Sequence, residues 1–393
     1  MKDGKIIKIS DHISTKNEKV IDASNKLIIP GIIDMHVHLR SPGYEYKETL
    51  ETGLKAAVHG GITTIGMMPN TNPTIDTLEL IKNLNEQIKK INLSNVLFIP
   101  ALTKNRDGKE LVNISEIQNY AVGFSDDGSP INNTNLMLKA LKILKKPIID
   151  HCEVTGLNGS MREGVYSNLY KIKGIPDISE TIMAFRDIEV SRNTGAHIHI
   201  AHISTKRTVK IIRDAKKQGI NITCEATHNH FLFKDIDVKN ANYKVNPPLP
   251  TQEDLEELIN GIKDGTIDIL ITDHAPHSKE EKERNIENSP FGISGLETFL
   301  SGILMISKKH SIPLKKLINM VTHNPAKIFN LKNVGDIKEG YNADLTIFDT
   351  NKNWKVTEET LYSKGKNTPF LNMNIPGVVE KTIINGVIKY EEG

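Results

Sequence analysis

The chain has 393 residues, with 50 Lys+Arg against 48 Asp+Glu, a formal net charge of +2 and 38% hydrophobic residues. That length suits one large barrel with an appendage, and the nearly cancelled charge, with no strongly basic arm, excludes nucleic acid as an implied partner. Two cysteines, Cys152 and Cys224, argue against a disulfide framework and fit a reducing cytoplasm, while the lack of a run of about 18 apolar residues or a signal-peptide pattern speaks against a membrane protein.

The opening stretch, GKIIKISDHISTKNEKVIDASNKLIIPG, alternates apolar and polar residues between turn formers and predicts short antiparallel strands. PGIIDMHVHLR then reads as a strand, followed by a helix from about Glu45 to His59. GITTIGMMPN is a strand, and TLELIKNLNEQIKKI is a helix. NVLFIPAL, AVGFSDDG, KPIIDHCE, AHIHIAHIST, NITCEATHNH and DILITDHAPH repeat the theme, each a short β-branched run ending in polar, chemically capable residues. Helical patterns separate most of them, so residues 31–330 predict a parallel sheet of about eight strands closed as a (β/α)8 TIM-like barrel. GDIKEGYNADLTIFDT and VVEKTIINGVIKYEEG return to antiparallel patterning, with Asn385-Gly386 as a hairpin turn. Residues 1–30 and 331–393 are therefore expected to build one small β-sandwich.

Barrel enzymes do their chemistry at the C-terminal ends of the strands. There, His36 and His38 lie two apart and share a face, about 6–7 Å from each other along the strand, close enough to ligate one metal. An isolated HxH is as readily a pair of hydrogen-bonded core histidines. Other strand ends add Asp126 and Asp127, His151, His202, and Asp273 with His277. Singly, a DDG is a turn, a lone His a core group and a TD a helix cap. Together at one end of one barrel they point to a metal site, with the imidazole and carboxylate ligands expected for Zn2+ or a similar ion. Strand alternation places one of Asp126 and Asp127 inward without fixing which. Arg40, just beyond HxH, is a candidate fork for a carboxylate. His197 and His199 read as structural, His228 and His230 as ambiguous, and His274 as pointing elsewhere. His12, His59 and His310 have no constellation around them.

DMHVHLRSPG and TDHAPHSKEEK resemble the two signature motifs of dihydroorotase, a family of the amidohydrolase superfamily of metal-dependent barrels. GITTIGMMPNTNP, GFSDDG, DHCE, AHIST, KVNPPL, SPFGISGLET and GDIKEGYNADLTIFD follow in the family's order, so the resemblance covers nearly the whole chain. It is nearest the bacterial and archaeal type I enzymes. Many superfamily members bridge two metals with a carboxylated lysine. GFSDDG stands in that place here, resembling the branch that uses aspartate, and the match favours Asp127. The resemblance implies that His36, His38 and Asp273 hold one metal, with Asp127 ligating or bridging. It implies that His151 and His202 hold a second where one is bound, giving one or two Zn2+ per subunit. Arg40 and Asn70 would grip a substrate carboxylate, and Asn246, His277 and the backbone of Phe291 and Gly292 would line the remaining pocket.

The implied activity is reversible cyclisation of N-carbamoyl-L-aspartate to L-dihydroorotate in pyrimidine biosynthesis, by metal-activated hydroxide with Asp273 as general acid and base. Departures from the pattern are Ser41 where Asp is common, THNH in place of TPHH, and Ile271 before Thr272. Two alternatives stand beside this reading. One is another cyclic amidohydrolase, of allantoinase or dihydropyrimidinase type, which commonly carries the bridging lysine. The other is a non-catalytic subunit scaffolding aspartate transcarbamoylase, which typically lacks the ligand histidines. Whether an active chain works with aspartate transcarbamoylase, or as a homo-oligomer, is left open by the sequence.

Overall fold

The structure is a computed structural model that describes residues 1–14 and 18–393. Its strands are β1 (Leu27–Pro30), β2 (Ile32–Val37), β3 (Ile62–Met67), β4 (Asn95–Phe98), β5 (Ile148–Asp150), the short pair β6 (Met161–Arg162) and β7 (Gly174–Ile175), β8 (Ile198–Ile200), β9 (Ile222–Thr227) and β10 (Ile269–Ile271). After these come β11 (Leu345–Lys355), β12 (Asn374–Ile384) and β13 (Val387–Glu391). Two parallel sheets form, β2-β3-β4 and β5-β8-β9-β10. Parallel bridges Phe98–Ala121 and Phe124–Ile148 carry the pairing from β4 through residues 121–124 to β5. A further bridge, Val37–His274, joins the end of β10 to β2, so the strand order returns to its start as a (β/α)8 barrel requires. Every residue of β2 and β3 is buried, as in parallel strands covered on both faces.

The helix expected from Glu45 begins only at Leu50. Thr49 caps it, accepting from Thr52 N at 3.1 Å, while the Thr52 hydroxyl accepts from Thr49 N. Glu45 instead accepts from Gly43 N at 2.9 Å and from the Ser41 hydroxyl at 3.0 Å, folding the segment after Arg40 into a tight turn. The next helix, Leu78–Ile91, starts where its Thr77 cap predicts. Among the described residues no helix is long and apolar enough to cross a membrane.

The two ends of the chain meet in one antiparallel sheet of order β1-β11-β12-β13, with Asn385 and Gly386 at φ 50° and 74° in the last turn. The N-terminal segment contributes β1 and bridges at Lys2 and Lys5. The other short strands expected before Asn25 do not form among the described residues; residues 15–17 of that stretch lie outside them. Ile7, Ile9 and Ile13 are 57, 52 and 50% exposed, so their alternation faces no surface on which to bury. The sheet's apolar face closes instead on the barrel helices Leu50–His59 and Phe299–His310, and Ile29, Phe348 and Val379 share one core with Leu54, Ala57 and Phe299. At that contact Gly377 has φ +89°, and a Cβ there would lie 2.1 Å from the Phe348 ring. Gly377→Ala is expected to lower stability by roughly 2–5 kcal/mol through backbone strain plus overpacking. A fall in the urea unfolding midpoint checks this.

Candidate active site

The site is assembled where β2 meets the chain beyond β10. His38 N donates to His274 O at 2.9 Å. Asp34, in β2 four residues before His38, accepts from Thr272 N at 3.2 Å and from the Thr272 hydroxyl at 2.5 Å. Burial pushes the Asp34 carboxyl up to about 7, although the Thr272 and His36 donors pull the other way. This seam fixes Asp273 opposite the two histidines: Asp273 Oδ1 lies 3.0 Å from His38 Nε2 and 3.6 Å from His36 Nε2. The Asp273 side chain keeps 14% of its surface exposed and His36 none, so Asp273 stands toward the mouth. Arg40, His202 and Asp273 adopt φ of 59°, 29° and 48°, left-handed values that strain a non-glycine backbone and persist only where the surroundings enforce them.

Asp126 and Asp127 part company. Asp126 turns back to accept from Leu102 N at 2.8 Å, from Thr103 N and from the Thr103 hydroxyl. Asp127 faces the histidines, with Oδ1 3.4 Å from His36 Nε2, His151 Nδ1 and His202 Nε2, and Oδ2 3.5 Å from His38 Nε2. His151 Nδ1 and His202 Nε2 are 3.0 Å apart. The structure thus brings His36, His38, Asp127, His151, His202 and Asp273 to one place. The donor atoms of His36, His38 and Asp273, and those of His36, Asp127 and His202, lie within 4.8 Å of one another. Among the described residues, the buried His36 Nε2 has no hydrogen-bond partner. An orphaned imidazole nitrogen among carboxylates and further imidazoles is the donor set a borderline divalent cation completes, so these residues fit a metal. The electrostatics agree. Burial opposes charge on His36 and His151, but Asp127 with Glu225 or Glu153 holds both above the ordinary imidazole value, His151 at about 10. Burial likewise opposes the Asp127 charge, yet His36, His151 and His202 hold that carboxyl well below its ordinary value. Imidazoles must be neutral to ligate, so metal binding would release any protons they carry.

A further layer orients the ligands. Glu225 Oε1 accepts from His36 Nδ1 at 2.6 Å, which leaves Nε2 toward the metal position. Its other oxygen accepts from His199 Nε2 at 3.1 Å, and both His197 and His199 reach the Thr223 hydroxyl at 2.7 Å, the structural roles the sequence suggested. Glu153 Oε2 accepts from His151 Nε2 at 2.9 Å and from Asn246 Nδ2 at 2.8 Å. Asn70 Oδ1 accepts from His38 Nδ1 at 2.6 Å, which frees its amide N–H groups for another acceptor. Arg106 Nη1 donates to Asp127 O at 2.5 Å.

The outer wall is cationic and held by backbone. Arg40 Nε donates to Pro276 O at 3.2 Å, and its Nη2 lies 3.2 Å from His277 Nε2. His277 donates from Nε2 to Phe291 O at 2.8 Å and accepts from Lys47 at Nδ1, 3.3 Å away. Burial and the charges of Arg40, Lys47 and Lys282 keep it neutral. Gly292 has φ +142°, and a Cβ there would meet Ala275 O at 2.4 Å. Asn367, from the C-terminal segment, donates to Gly292 O at 2.9 Å and Ala275 O at 3.2 Å, and accepts from His277 N at 2.8 Å. The pocket residues singled out from the sequence therefore form two groups, Arg40, His277, Phe291 and Gly292 on this wall, and Asn70 and Asn246 against the ligand histidines.

A family model described as the amidohydrolase family matches residues 27–389. Curated relatives include the dihydroorotase of Bacillus cytotoxicus, 42% identical over 100% of this chain and 94% of its own length. The dihydroorotase of Staphylococcus epidermidis is 44% identical over 99% of this chain and 94% of its own. The chain belongs to the dihydroorotases of the amidohydrolase family. Among solved structures, the L-hydantoinase (dihydropyrimidinase) of Arthrobacter aurescens superposes with a TM-score of 0.89 at 25% identity, over 100% of this chain and 92% of that one.

For a dihydroorotase, two features escaped the sequence reading. Glu225 is a carboxylate at an inward position of a buried strand, and that mismatch with its apolar neighbours was the available signal. Glu153 follows His151 by two residues and so shares its side of the chain. Of the ambiguous pair, His230 bonds the Thr227 hydroxyl at 2.6 Å and Pro247 O at 3.1 Å. His228 lies against Phe299 and Phe370, fully buried, with neither ring nitrogen partnered. His274 turns away to Glu48 at 3.3 Å. His59, read as isolated, lies 2.8 Å from Glu297 among Trp354, Tyr362 and Tyr390.

Glu225→Gln is expected to weaken metal retention about 10–100-fold by loosening His36, measured by competition with a chelator. Burial pushes His228 from 6.5 down to about 3. The unfolded chain therefore takes up a proton, below its ordinary pKa, that the folded chain refuses. The stability linked to His228 is complete above that ordinary value and is lost as pH falls from there toward 3. His228→Leu is expected to flatten the acid limb of stability against pH, checked by urea midpoints from pH 8 to 5.

Proposed function

We propose that this chain interconverts N-carbamoyl-L-aspartate and L-dihydroorotate, using Zn2+ held by His36, His38, Asp127, His151, His202 and Asp273. The observation that carries the reading is the pairing of an imidazole–carboxylate cage with an anion clamp on the same strand and its following turn. Arg40 follows His38 by two residues in its enforced left-handed conformation, and the Asn70 amide is pinned through His38 itself. L-Dihydroorotate carries a carboxylate next to the amide that is opened. A guanidinium fork with an amide donor at that carboxylate fixes the scissile carbonyl over the ligand cage. Zn2+ bound by these residues would lower the pKa of a water at the site toward neutrality and act as a Lewis acid on the scissile carbonyl.

Asp273 works as the proton carrier. Burial disfavours its charge, but His38 and His36 hold the carboxyl below its ordinary value, so it is a base at neutral pH. It takes the proton from the attacking water and delivers it to the leaving ring nitrogen. In cyclisation it removes the proton from the ureido nitrogen. Asn246, His277 and the Phe291–Gly292 backbone enclose the rest of the ring. Dihydrouracil, the carboxylate-free analogue, would offer the half-buried Arg40 guanidinium no anion to grip, which disfavours a dihydropyrimidinase reading. The thiols Cys152 and Cys224 are both free, consistent with work in the cytoplasm.

The test is dihydroorotate hydrolysis by the purified chain alone, with zinc content measured and dihydrouracil and allantoin as controls. Turnover of dihydroorotate only, lost on chelation and restored by Zn2+, is expected. Inactivity of the zinc-loaded chain would refute the reading of a self-sufficient enzyme. Asp273→Asn is expected to lower kcat about 10^2–10^4-fold with the melting temperature retained. Arg40→Lys is expected to raise KM about tenfold or more, because a point charge cannot reproduce the fork.

A further inference from the structure

Two lysines on either side of the substrate wall carry their charge where water does not reach. Lys244 is 4% exposed and Lys282 is 8% exposed. Among the described residues neither makes an ion pair with a carboxylate. Lys244 Nζ donates to Ile286 O at 2.6 Å, Ser289 O at 2.8 Å and Glu287 O at 3.1 Å. It also stands 4.5 Å from the centre of the Phe291 ring. Lys282 Nζ donates to Pro290 O and Gly292 O, both at 3.0 Å. The backbone of Lys244 joins in, its O accepting from Gly292 N at 2.9 Å. Residues 286–292 contain no helix or strand, so their carbonyls have no ladder to satisfy them, and the two ammonium groups do it instead.

We propose that Lys244 and Lys282 are positioning residues of the substrate pocket. They gather the carbonyls of residues 286–292 onto two buried ammonium groups and so set where Phe291 and Gly292 stand. Burial pulls both lysines below their ordinary value, Lys282 to about 7 with Lys244 and Arg40 adding to the effect and Glu281 opposing it. An unpaired charge in such a place is costly, and converging carbonyl dipoles are what offset it. A neutral chain at 282 would leave Pro290 O without its donor and Gly292 O with Asn367 alone, and one at 244 would leave Glu287 O and Ser289 O without theirs and Ile286 O with the Ser289 hydroxyl alone. The segment would then relax away from His277, whose Nε2 is held by Phe291 O, and the wall would lose its register with Arg40.

The kinetic arm of the test rests on the dihydroorotase reading, and a second arm does not. Lys282→Met, Lys282→Arg and Lys244→Met are compared with the unmodified zinc enzyme for KM and kcat on dihydroorotate, zinc content, and amide hydrogen exchange across residues 284–293. For Lys282→Met the expected result is a KM raised about tenfold or more with kcat within about threefold. Zinc should be retained and exchange should quicken in 286–292 but not in the barrel strands. Lys282→Arg should recover part of the KM, since it keeps the charge and the donors. A lysine that merely stabilised the fold would lower the melting temperature and leave KM unmoved, and that result overturns the proposal. If Lys282→Met does not fold, an unchanged KM in Lys244→Met overturns it equally. If the unmodified enzyme does not act on dihydroorotate, the functional reading fails and exchange decides alone: unaltered protection of 286–292 in the variants overturns the positioning role.

Discussion

Where β2 meets the chain beyond β10, His38 donates its backbone N–H to His274 O and Asp34 takes both donors of Thr272. Everything chemical in the molecule hangs from that seam. It joins residues far apart in sequence, and without it His36 and His38 would face an open edge. With it, Asp273 is carried round to within hydrogen-bonding reach of His38. The Asp34 carboxyl beneath is fully buried, so the seam is bound by groups that lose much if it opens.

Charge is arranged in two zones on this frame. The inner zone holds Asp127, Asp273, Glu225 and Glu153 against four imidazoles, a set balanced by a cation or by protons. The outer wall holds Arg40, Lys47, Lys244 and Lys282 around His277, with the Glu281 carboxylate among them, 3.0 Å from Lys47 and 3.2 Å from His277. A substrate that offers a carboxylate at one end and an electrophilic carbonyl at the other would lie along this gradient rather than across it. The orientation problem is thereby eased before any specific contact is made.

The run of parallel strands and the gathering of His36, His38, His151, His202 and Asp273 at their ends were legible because strand patterning rests on short-range rules, whereas the ligand assignment came from the family resemblance. Strand periodicity put His36 and His38 on one face, and β-branched runs marked nearly every strand. The appendage was harder. Alternation at Ile7, Ile9 and Ile13 had the right local pattern, but pattern does not supply a partner surface, and those side chains stay exposed. Glu45 looked like the start of a helix because its neighbours are helix formers; a local side-chain bond to Gly43 won instead. Phase at the Asp126–Asp127 turn depended on Thr103, 23 residues earlier, which no local rule reaches. Glu225 and the carbonyl-binding lysines belong to the same class, since their partners are set by tertiary geometry.

Asn367 ties the C-terminal segment into the pocket wall through Gly292, Ala275 and His277. This bears on the order of events during synthesis. Chains emerge N-terminus first, and the ligand histidines and Asp273 are all made before Asn367. A nascent chain with every proposed metal ligand in hand therefore still lacks the clip that fixes the Phe291–Gly292 wall. The residues that would hold a metal are thus all made before the residue that closes the wall, and the last strands are needed to complete the pocket.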